Sequence, residues 1–223
     1  ARVVLLLPTR PKLDRLSPVW KEVVERAGLV PGAGSGDHTS GPGPSRRHAD
    51  PLPDPLDDDA IRDLAGQRGS DGSEANGSSI AFVLEVGDAR LCLAGDAHAS
   101  VLAAGLKRYG KMIGEAKPRI DLFKLSHHGS KANVSKRLLG SMRCRRFLIC
   151  TNGDTFNHPN DATIAKVLVA ADSEALPIGF YCNYRSPRTA PWGERGAAVG
   201  ADFAFPADGD THLTVEVRPP GTS

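Results

Sequence analysis

Long apolar runs and paired cysteine motifs are both missing from this sequence. No apolar run approaches the roughly 18 residues that a membrane helix requires, and residues 1–8 are too short for the three parts of a signal peptide. The four cysteines form no CxxC pair and are too few for a scaffold built on disulfides, which favours reduced thiols in a cytoplasmic protein. The chain opens on Ala1 and an apparent strand, so we expect a fragment or a processed product.

A large charge imbalance is also missing. The chain has 28 Lys and Arg residues against 26 Asp and Glu residues, a formal net charge of +2 at pH 7. This balance gives no overall field that would attract nucleic acid or a membrane surface, so a charged partner must be inferred from a local site. The length of 223 residues fits one domain with a sizeable core, and we expect a single domain over residues 1–223.

Large apolar residues are almost absent from residues 31–54, which are rich in Gly, Pro, Ser and Asp. Such a segment cannot bury enough surface to offset its chain entropy, so we predict a disordered insertion there. Before it, the pattern predicts a strand from Arg2 to Leu7 and a helix from Pro18 to Gly28, with Ser17 as N-cap. After it, a short helix is predicted over residues 57–65.

The second half of the chain alternates strands with helices. Two strands over residues 79–86 and 90–94, separated by a turn with Gly and Asp, predict an antiparallel hairpin. Further strands are predicted over residues 120–125, 146–150, 177–182 and, at a sheet edge, 211–217, and helices over residues 98–109, 134–139 and 161–171. This alternation predicts an α/β fold with a mixed sheet flanked by helices.

Polar side chains follow three of these strands. Asp96 comes directly after one strand, His127 and His128 after the next, and Asn152 with His158 after a third. Ligands bind at the carboxyl ends of strands in open α/β sheets, and carboxylate with imidazole suits a hydrolytic Zn²⁺ or Mn²⁺ centre. Singly, Asp96 fits a helix cap, the two histidines fit a surface pair, and His158 fits a loop. Jointly and in this order, they predict a metal site.

Three motifs carry a family resemblance. They are Ala94-Gly95-Asp96, the turn Ser126-His127-His128-Gly129-Ser130, and His158-Pro159. Over roughly Asn76 to Lys166 the chain resembles the C-terminal half of metallo-β-lactamase-fold hydrolases, in particular the hydrolase domain of ComEC-type DNA-uptake proteins. The resemblance implies the C-terminal half of an αββα sandwich, a mixed sheet flanked by helices.

The resemblance also implies two divalent metal ions, Zn²⁺ or Mn²⁺. Asp96 matches the aspartate that bridges both ions in that family, which makes it an implied catalytic residue and metal ligand. His127 and His128 match the last histidine ligand, and we favour His127 because it follows the strand and Ser126 directly.

Three further residues are implied substrate contacts. His158 matches an extra histidine on the open side of the site, where it binds a phosphate or protonates a leaving group as a catalytic residue. Asn152 and Lys131 are the other predicted substrate contacts, the first from its place after a strand and the second as a cation beside the motif.

The family's HxHxDH motif is missing. None of the seven histidines stands in that pattern, so the ligands of the first half lie elsewhere, in the same polypeptide or in a second chain. One Asp and one or two His hold an ion only loosely, and we expect this chain alone to be inactive.

With the missing half in place, the expected function is metal-assisted hydrolysis of phosphodiesters, in nucleic acid or a nucleotide. Two alternatives stay open. In the first alternative, the same metal pair hydrolyses small esters, thioesters or lactams. In the second, the fold binds no metal and serves as an interaction or regulatory module.

Overall fold

A mixed seven-stranded sheet organises the residues that the computed structural model describes, which are 1–28, 50–170 and 178–217. The strands are β1 (Arg2–Leu7), β2 (Ala81–Val86), β3 (Ala89–Leu93), β4 (Leu122–Lys124), β5 (Arg146–Ile149), β6 (Ile178–Cys182) and β7 (Ala201–Ala204). The helices are α1 (Arg10–Arg26), α2 (Asp58–Gly66), α3 (Glu74–Gly77), α4 (Ala99–Ile113), α5 (Lys136–Leu139), α6 (Asp161–Ala170) and α7 (Ala190–Arg195). The predicted α/β class with a mixed sheet is therefore confirmed.

The strands lie in the sheet in chain order, β1 to β7. β1, β2 and β3 are antiparallel, and from β3 onward each neighbouring pair is parallel. The predicted hairpin is confirmed, with Val86 paired to Ala89 across the turn. Because β3, β4 and β5 are parallel neighbours, their carboxyl ends lie side by side.

One face of the sheet carries the core, and we call it the helix face. A row of paired residues crosses it from Val83 through Cys92, Phe123 and Phe147 to Phe180, and all five are buried. The phenylalanine rings touch along this row, with centroids 6.2 and 5.8 Å apart for successive pairs. Buried residues of α4, α5 and α6 belong to the same hydrophobic cluster, which fixes the layer of helices on this side.

The other face, which we call the open face, is apolar but only partly covered. The row from Leu5 through Phe82 and Leu93 leads to Lys124 across four strands. Leu5 is 69% exposed and Val3, on the same face of β1, is 58% exposed, whereas Phe82 and Leu93 are half-buried. The chain after β7 reaches this side, where the Glu216 carbonyl accepts a hydrogen bond from Arg146.

The first helix differs from its prediction. It begins at Arg10 rather than Pro18, and Pro18 lies inside it. Thr9 is the N-cap and Pro11 lies in the first turn. A proline is favourable there because its φ is already helical and because amides in the first turn have no acceptor within the helix, so the missing N–H costs no hydrogen bond. The predicted stop is confirmed, because the helix ends at Arg26 and Gly28 follows with a φ of +66°.

The predicted edge strand over residues 211–217 is wrong. The structure describes these residues and assigns them no strand. Period-two alternation makes a strand only where a neighbouring strand supplies hydrogen bonds, and β7 is the last strand of the sheet.

The predicted disordered insertion over residues 31–54 falls mostly outside the described ranges, which leave out its residues 31–49. In its last part, the Pro53 carbonyl accepts a hydrogen bond from Arg195. Among the helices within the described ranges, none combines the length and the apolar character that crossing a membrane requires.

Candidate functional site

The candidate site lies where β3, β4 and β5 end. Asp96 follows β3, and His127 and His128 follow β4 in a 3₁₀ turn, Ser126–Gly129. The two loops are tied together, because the His127 amide donates to the Gly95 carbonyl at 3.0 Å and the Ser126 hydroxyl donates to the Ala97 carbonyl at 2.6 Å. The strand-end motifs of the sequence therefore meet in one place.

Both histidines of the turn have unusual backbone angles. The φ of His127 is +47° and that of His128 is +57°, in the left-handed region that residues other than glycine rarely adopt. Such conformations cost of order 1–3 kcal/mol each and cluster at functional sites, where the surrounding contacts hold them. The turn thus aims two imidazoles at the end of the sheet at a local energetic cost.

His128 has a defined hydrogen-bonding state. Its Nδ1 lies 2.5 Å from the carbonyl oxygen of Cys150, the residue after β5, and a carbonyl can only accept. Nδ1 therefore carries the proton, and in the neutral ring Nε2 keeps its lone pair. This Nε2 lies 3.8 Å from the Oδ1 atom of Asp96.

Asp96 does not cap the helix that follows it. The N-cap of α4 is His98, so the capping role considered for Asp96 is not used. Its carboxylate faces His128 on one side and, at 3.9 Å, the Nζ of Lys124 on another. Lys124 also donates to the Gly95 carbonyl at 3.1 Å, and burial lowers its pKa although Asp96 acts in the opposite direction.

The Asp96 and His128 atoms fit one metal ion. Two ligands that each bind Zn²⁺ at about 2.0–2.1 Å stand no more than about 4 Å apart, so a separation of 3.8 Å between Nε2 and Oδ1 is within reach of a shared ion. Metal-bound histidines usually donate their other ring N–H to a carbonyl or carboxylate, as His128 does. The geometry favours His128 as the ligand, whereas the sequence favoured His127.

His127 is surrounded by amides and a carboxylate. Its Nδ1 lies 3.2 Å from the Oδ1 of Asn133, 3.4 Å from the Nδ2 of Asn76 and 3.4 Å from the Oδ2 of Asp71. Asp71 comes from the loop between α2 and α3, and its carboxylate also lies 3.5 Å from the Nε2 of His98. Sequence reasoning missed Asp71 and Asn133.

Asp71 stays ionised across the physiological range. Burial alone raises the pKa of its carboxyl, but hydrogen bonds from Asn133, Asn76 and the Ser73 amide outweigh burial and hold that pKa at about 2. The site therefore contains a fixed negative charge beside two histidines.

His158 joins the cluster from the loop after β5. Its ring centroid lies 5.4 Å from that of His127, and the ring stacks on Phe156. Burial, with the charges of His127, His128 and Arg188, lowers the pKa of His158 to about 4, and its Nδ1 is buried without a hydrogen-bond partner among the described residues. At neutral pH the ring is therefore uncharged, with one nitrogen that donates and one that accepts, which suits accepting a proton better than supplying one.

This perturbed histidine predicts acid sensitivity. A folded-state pKa near 4, below the ordinary 6.5, means that the unfolded chain binds the proton more readily, so stability is lost as pH falls from about 6.5 toward 4. Between about pH 7.5 and about pH 5, we expect wild type to lose about 1–2 kcal/mol more unfolding free energy than His158→Gln, allowing for partial exposure. Guanidinium unfolding with a chelator present measures the difference.

The control for this prediction is His212→Gln, because His212 is exposed in the tail after β7. That variant should keep the full acid loss of the wild type. Equal acid loss in wild type and His158→Gln contradicts the assignment.

The other two predicted substrate contacts, Asn152 and Lys131, make their hydrogen bonds outside the cluster of Asp96 and the histidines. Asn152 is exposed, and its amide donates to Asp154 within its own loop at 3.0 Å. Lys131 is half-buried, and its backbone N–H donates to the Oδ1 of Asn160 at 2.8 Å while its carbonyl accepts from Lys166 at 2.9 Å. Their substrate-binding roles stay predictions.

Within the described ranges, no group of three or more His, Cys, Asp or Glu side chains is arranged to hold a metal ion. A scan against protein-family models, a search of curated proteins and a search of solved structures each returned no match. The likeness to metallo-β-lactamase-fold hydrolases therefore stays a prediction.

Proposed function

We propose that this chain supplies Asp96 and His128 to a dinuclear metal site, with Zn²⁺ or Mn²⁺, that hydrolyses phosphodiesters in nucleic acid or a nucleotide. The observation that carries the proposal is the state of His128, whose Nδ1 proton is bound by the Cys150 carbonyl while Nε2 faces Asp96. When bound, such ions acidify a bridging water and neutralise charge on the reacting phosphate.

The chain's own residues have separable tasks in this proposal. Asp96 would hold a metal ion from the end of β3 and His128 from the turn after β4, and the hydrogen bond between the His127 amide and the Gly95 carbonyl joins these two loops. The ring of His158 lies next to that of His127, and its buried Nδ1 has no hydrogen-bond partner among the described residues, which leaves this nitrogen to bind a polar group of the substrate or to exchange a proton. Lys124 places a cation 3.9 Å from Asp96, close enough to attract an anionic phosphate.

The remaining ligands come from a second half that carries HxHxDH, and the open face supports this part of the proposal. The row Leu5, Phe82 and Leu93 leads directly to Lys124, and Lys124 borders Asp96. A layer packed on that row buries apolar side chains that are now partly exposed and ends beside the metal ligands. One docking event thus covers the face and completes the site.

Metal binding by the chain tests the proposal. We expect Zn²⁺, titrated against a chromophoric chelator, to bind the wild-type chain weakly, and we expect the affinity to fall at least about tenfold in Asp96→Asn and in His128→Gln because each loses a ligand. Asp202→Asn is the matched control, since Asp202 is an exposed acid on β7, and it should bind Zn²⁺ like wild type.

Two outcomes count against the proposal. One is no Zn²⁺ or Mn²⁺ binding above that of Asp96→Asn, and the other is equal loss in the Asp202 control. Where the polypeptide or complex includes the HxHxDH ligands, activity on bis(p-nitrophenyl) phosphate but not on p-nitrophenyl acetate supports the phosphodiester assignment, and the reverse pattern overturns it.

A further inference from the structure

We propose that Asp71 is the positioning carboxylate of His127, which holds the proton on Nδ1 and presents Nε2 to the metal site. The inference rests on the proposed function and extends it to a loop that carries no recognisable motif. It follows from three contacts around one ring nitrogen.

The orientation of Asn133 decides the protonation of His127. The Nδ2 atom of Asn133 donates to the Oδ2 of Asp71 at 2.7 Å and to the backbone carbonyl of Asp96 at 3.2 Å, and both partners are acceptors. The amide oxygen must then be the atom 3.2 Å from the Nδ1 of His127. An oxygen acceptor requires Nδ1 to donate, so the lone pair of the neutral ring is on Nε2.

Asp71 anchors this arrangement. Its Oδ2 accepts from Asn76 at 2.9 Å as well as from Asn133, and its Oδ1 accepts from the Ser73 amide at 2.9 Å. Its side chain is only 11% exposed, so these donors leave the carboxylate one orientation. The same Oδ2 lies 3.4 Å from the Nδ1 of His127.

The carboxylate also sets the amides that touch the ring. The Nδ2 of Asn76 lies 3.4 Å from the Nδ1 of His127 and spends one of its two N–H groups on Asp71. The Asn133 oxygen, at 3.2 Å, is closer to this ring nitrogen and favours a proton on Nδ1. Without a charge at position 71, Asn76 loses this acceptor, and Asn133 keeps only the backbone carbonyls of Asp96 at 3.2 Å and Ala97 at 3.4 Å as acceptors for its Nδ2. The Asp71 carboxylate, at 2.7 Å, is the nearest of the three acceptors that orient Asn133 and, through it, the tautomer of His127.

The chemical consequence concerns metal affinity. A carboxylate or carbonyl that accepts the second N–H of a histidine fixes the ring and makes its other nitrogen a stronger ligand, and losing such a partner typically costs about 10–100-fold in metal affinity. His128 receives this support from the Cys150 carbonyl, and Asp71 with Asn133 gives it to His127. Both histidines of the turn then keep a bare Nε2, so His127 becomes available as a ligand in addition to His128.

The tautomer can be measured without metal. We expect long-range ¹H–¹⁵N correlation spectra of the metal-free 223-residue chain, with His127 assigned by its loss in His127→Gln, to show a protonated Nδ1 and a bare Nε2. In Asp71→Asn, we expect His127 to shift to a mixture of both tautomers. Glu74→Gln is the matched control, because Glu74 is a nearby acid that pairs with Lys12 and Arg15 instead, and its spectrum should match wild type at His127.

The outcomes separate this inference from the proposed function. A wild-type His127 with its proton on Nε2 overturns the positioning role even if no variant folds, and so does a folded Asp71→Asn whose His127 signals are unchanged. Zn²⁺ affinity is the second readout, expected to fall about 10–100-fold in Asp71→Asn and to stay unchanged in Glu74→Gln. A chain with the expected tautomers that binds no Zn²⁺ overturns the proposed function and leaves the positioning of His127 supported.

Discussion

Replacing Gly129 with alanine is expected to destabilise the fold by about 2–4 kcal/mol. Gly129 ends the histidine turn with a φ of +87°, where a residue with a Cβ is strained, and an added Cβ would lie 2.8 Å from the Cβ of Pro159. Neither backbone can move away freely, because the Asn160 amide donates to the Gly129 carbonyl at 3.1 Å and the Asn160 side chain accepts from the Lys131 amide at 2.8 Å. Guanidinium unfolding measures the loss.

Gly114→Ala separates strain from crowding. Gly114 caps α4 with a similar φ of +76°, but an added Cβ there meets no atom within 4 Å. Its cost should be only the left-handed strain, about 1–2 kcal/mol. If the two variants lose equal stability, the packing of the turn against Pro159 is not what requires glycine at position 129.

The Gly129 variant should also disturb the site. Gly129 follows His128 directly, so a displaced turn moves the imidazole that donates to the Cys150 carbonyl. We expect the single tautomer of His128 to be lost in Gly129→Ala and kept in Gly114→Ala. Histidine ¹⁵N spectra of the two variants measure the tautomer of His128, and unfolding curves of the same samples measure stability.

The meeting of Asp96 with the two histidines could be predicted because it depends on one general rule. Strands that follow each other in an alternating α/β chain tend to be neighbours, and parallel neighbours end at the same edge. β3 and β4 obey the rule, with Leu93 paired to Lys124 just before the two loops begin. Residue order and strand boundaries were sufficient for that part of the site.

Asp71 could not be found in the same way. It lies between two short helices, in a loop without periodicity, and it contacts His127 and Asn133 across more than 50 positions of the chain. No local pattern reports a contact of that range when the residue is a common loop aspartate. The only signal was the neighbouring Asn76, which belongs to the stretch that resembles the family.

The two misjudged segments show where local pattern and tertiary context disagree. Pro18 looked like the first residue of a helix, but the stronger start is Thr9 followed by Pro11, and the helix continues through the second proline. Residues 211–217 alternate like a strand, yet a strand needs a partner edge, and in this tail the Glu216 carbonyl accepts a hydrogen bond from the Arg146 side chain instead. The local sequence pattern determines which secondary structures a segment can form, and the neighbouring strands and helices available to it determine which of these it adopts.

Lys166→Met is expected to cost about 2 kcal/mol. Lys166 lies on α6, is only 6% exposed, and donates from Nζ to the carbonyls of Lys131 at 2.9 Å and Val134 at 3.2 Å. Methionine fills a similar volume but leaves both buried carbonyls without a donor, which outweighs the gain from removing a buried charge. Lys107→Met is the control, since Lys107 is exposed on α4, and it should change stability by no more than about 0.5 kcal/mol.

The pH dependence of the difference identifies the cause. Burial, reinforced by Lys131 and Lys136, lowers the pKa of Lys166 below its ordinary 10.5, so in the pH range below 10.5 where the folded chain loses this proton the unfolded chain still holds it. The unfolded state then binds more protons, and stability rises with pH over that window. A neutral amine still has two N–H groups, which match the two carbonyls.

We therefore expect wild type to gain stability relative to Lys166→Met as the pH rises toward the ordinary lysine pKa of 10.5, measured by urea unfolding. A difference that stays constant with pH means that the cost of the substitution is lost packing alone. A difference that grows shows that α6 holds the segment after the histidine turn through this amine. The segment includes Asn133, so the same amine supports the residues that orient His127.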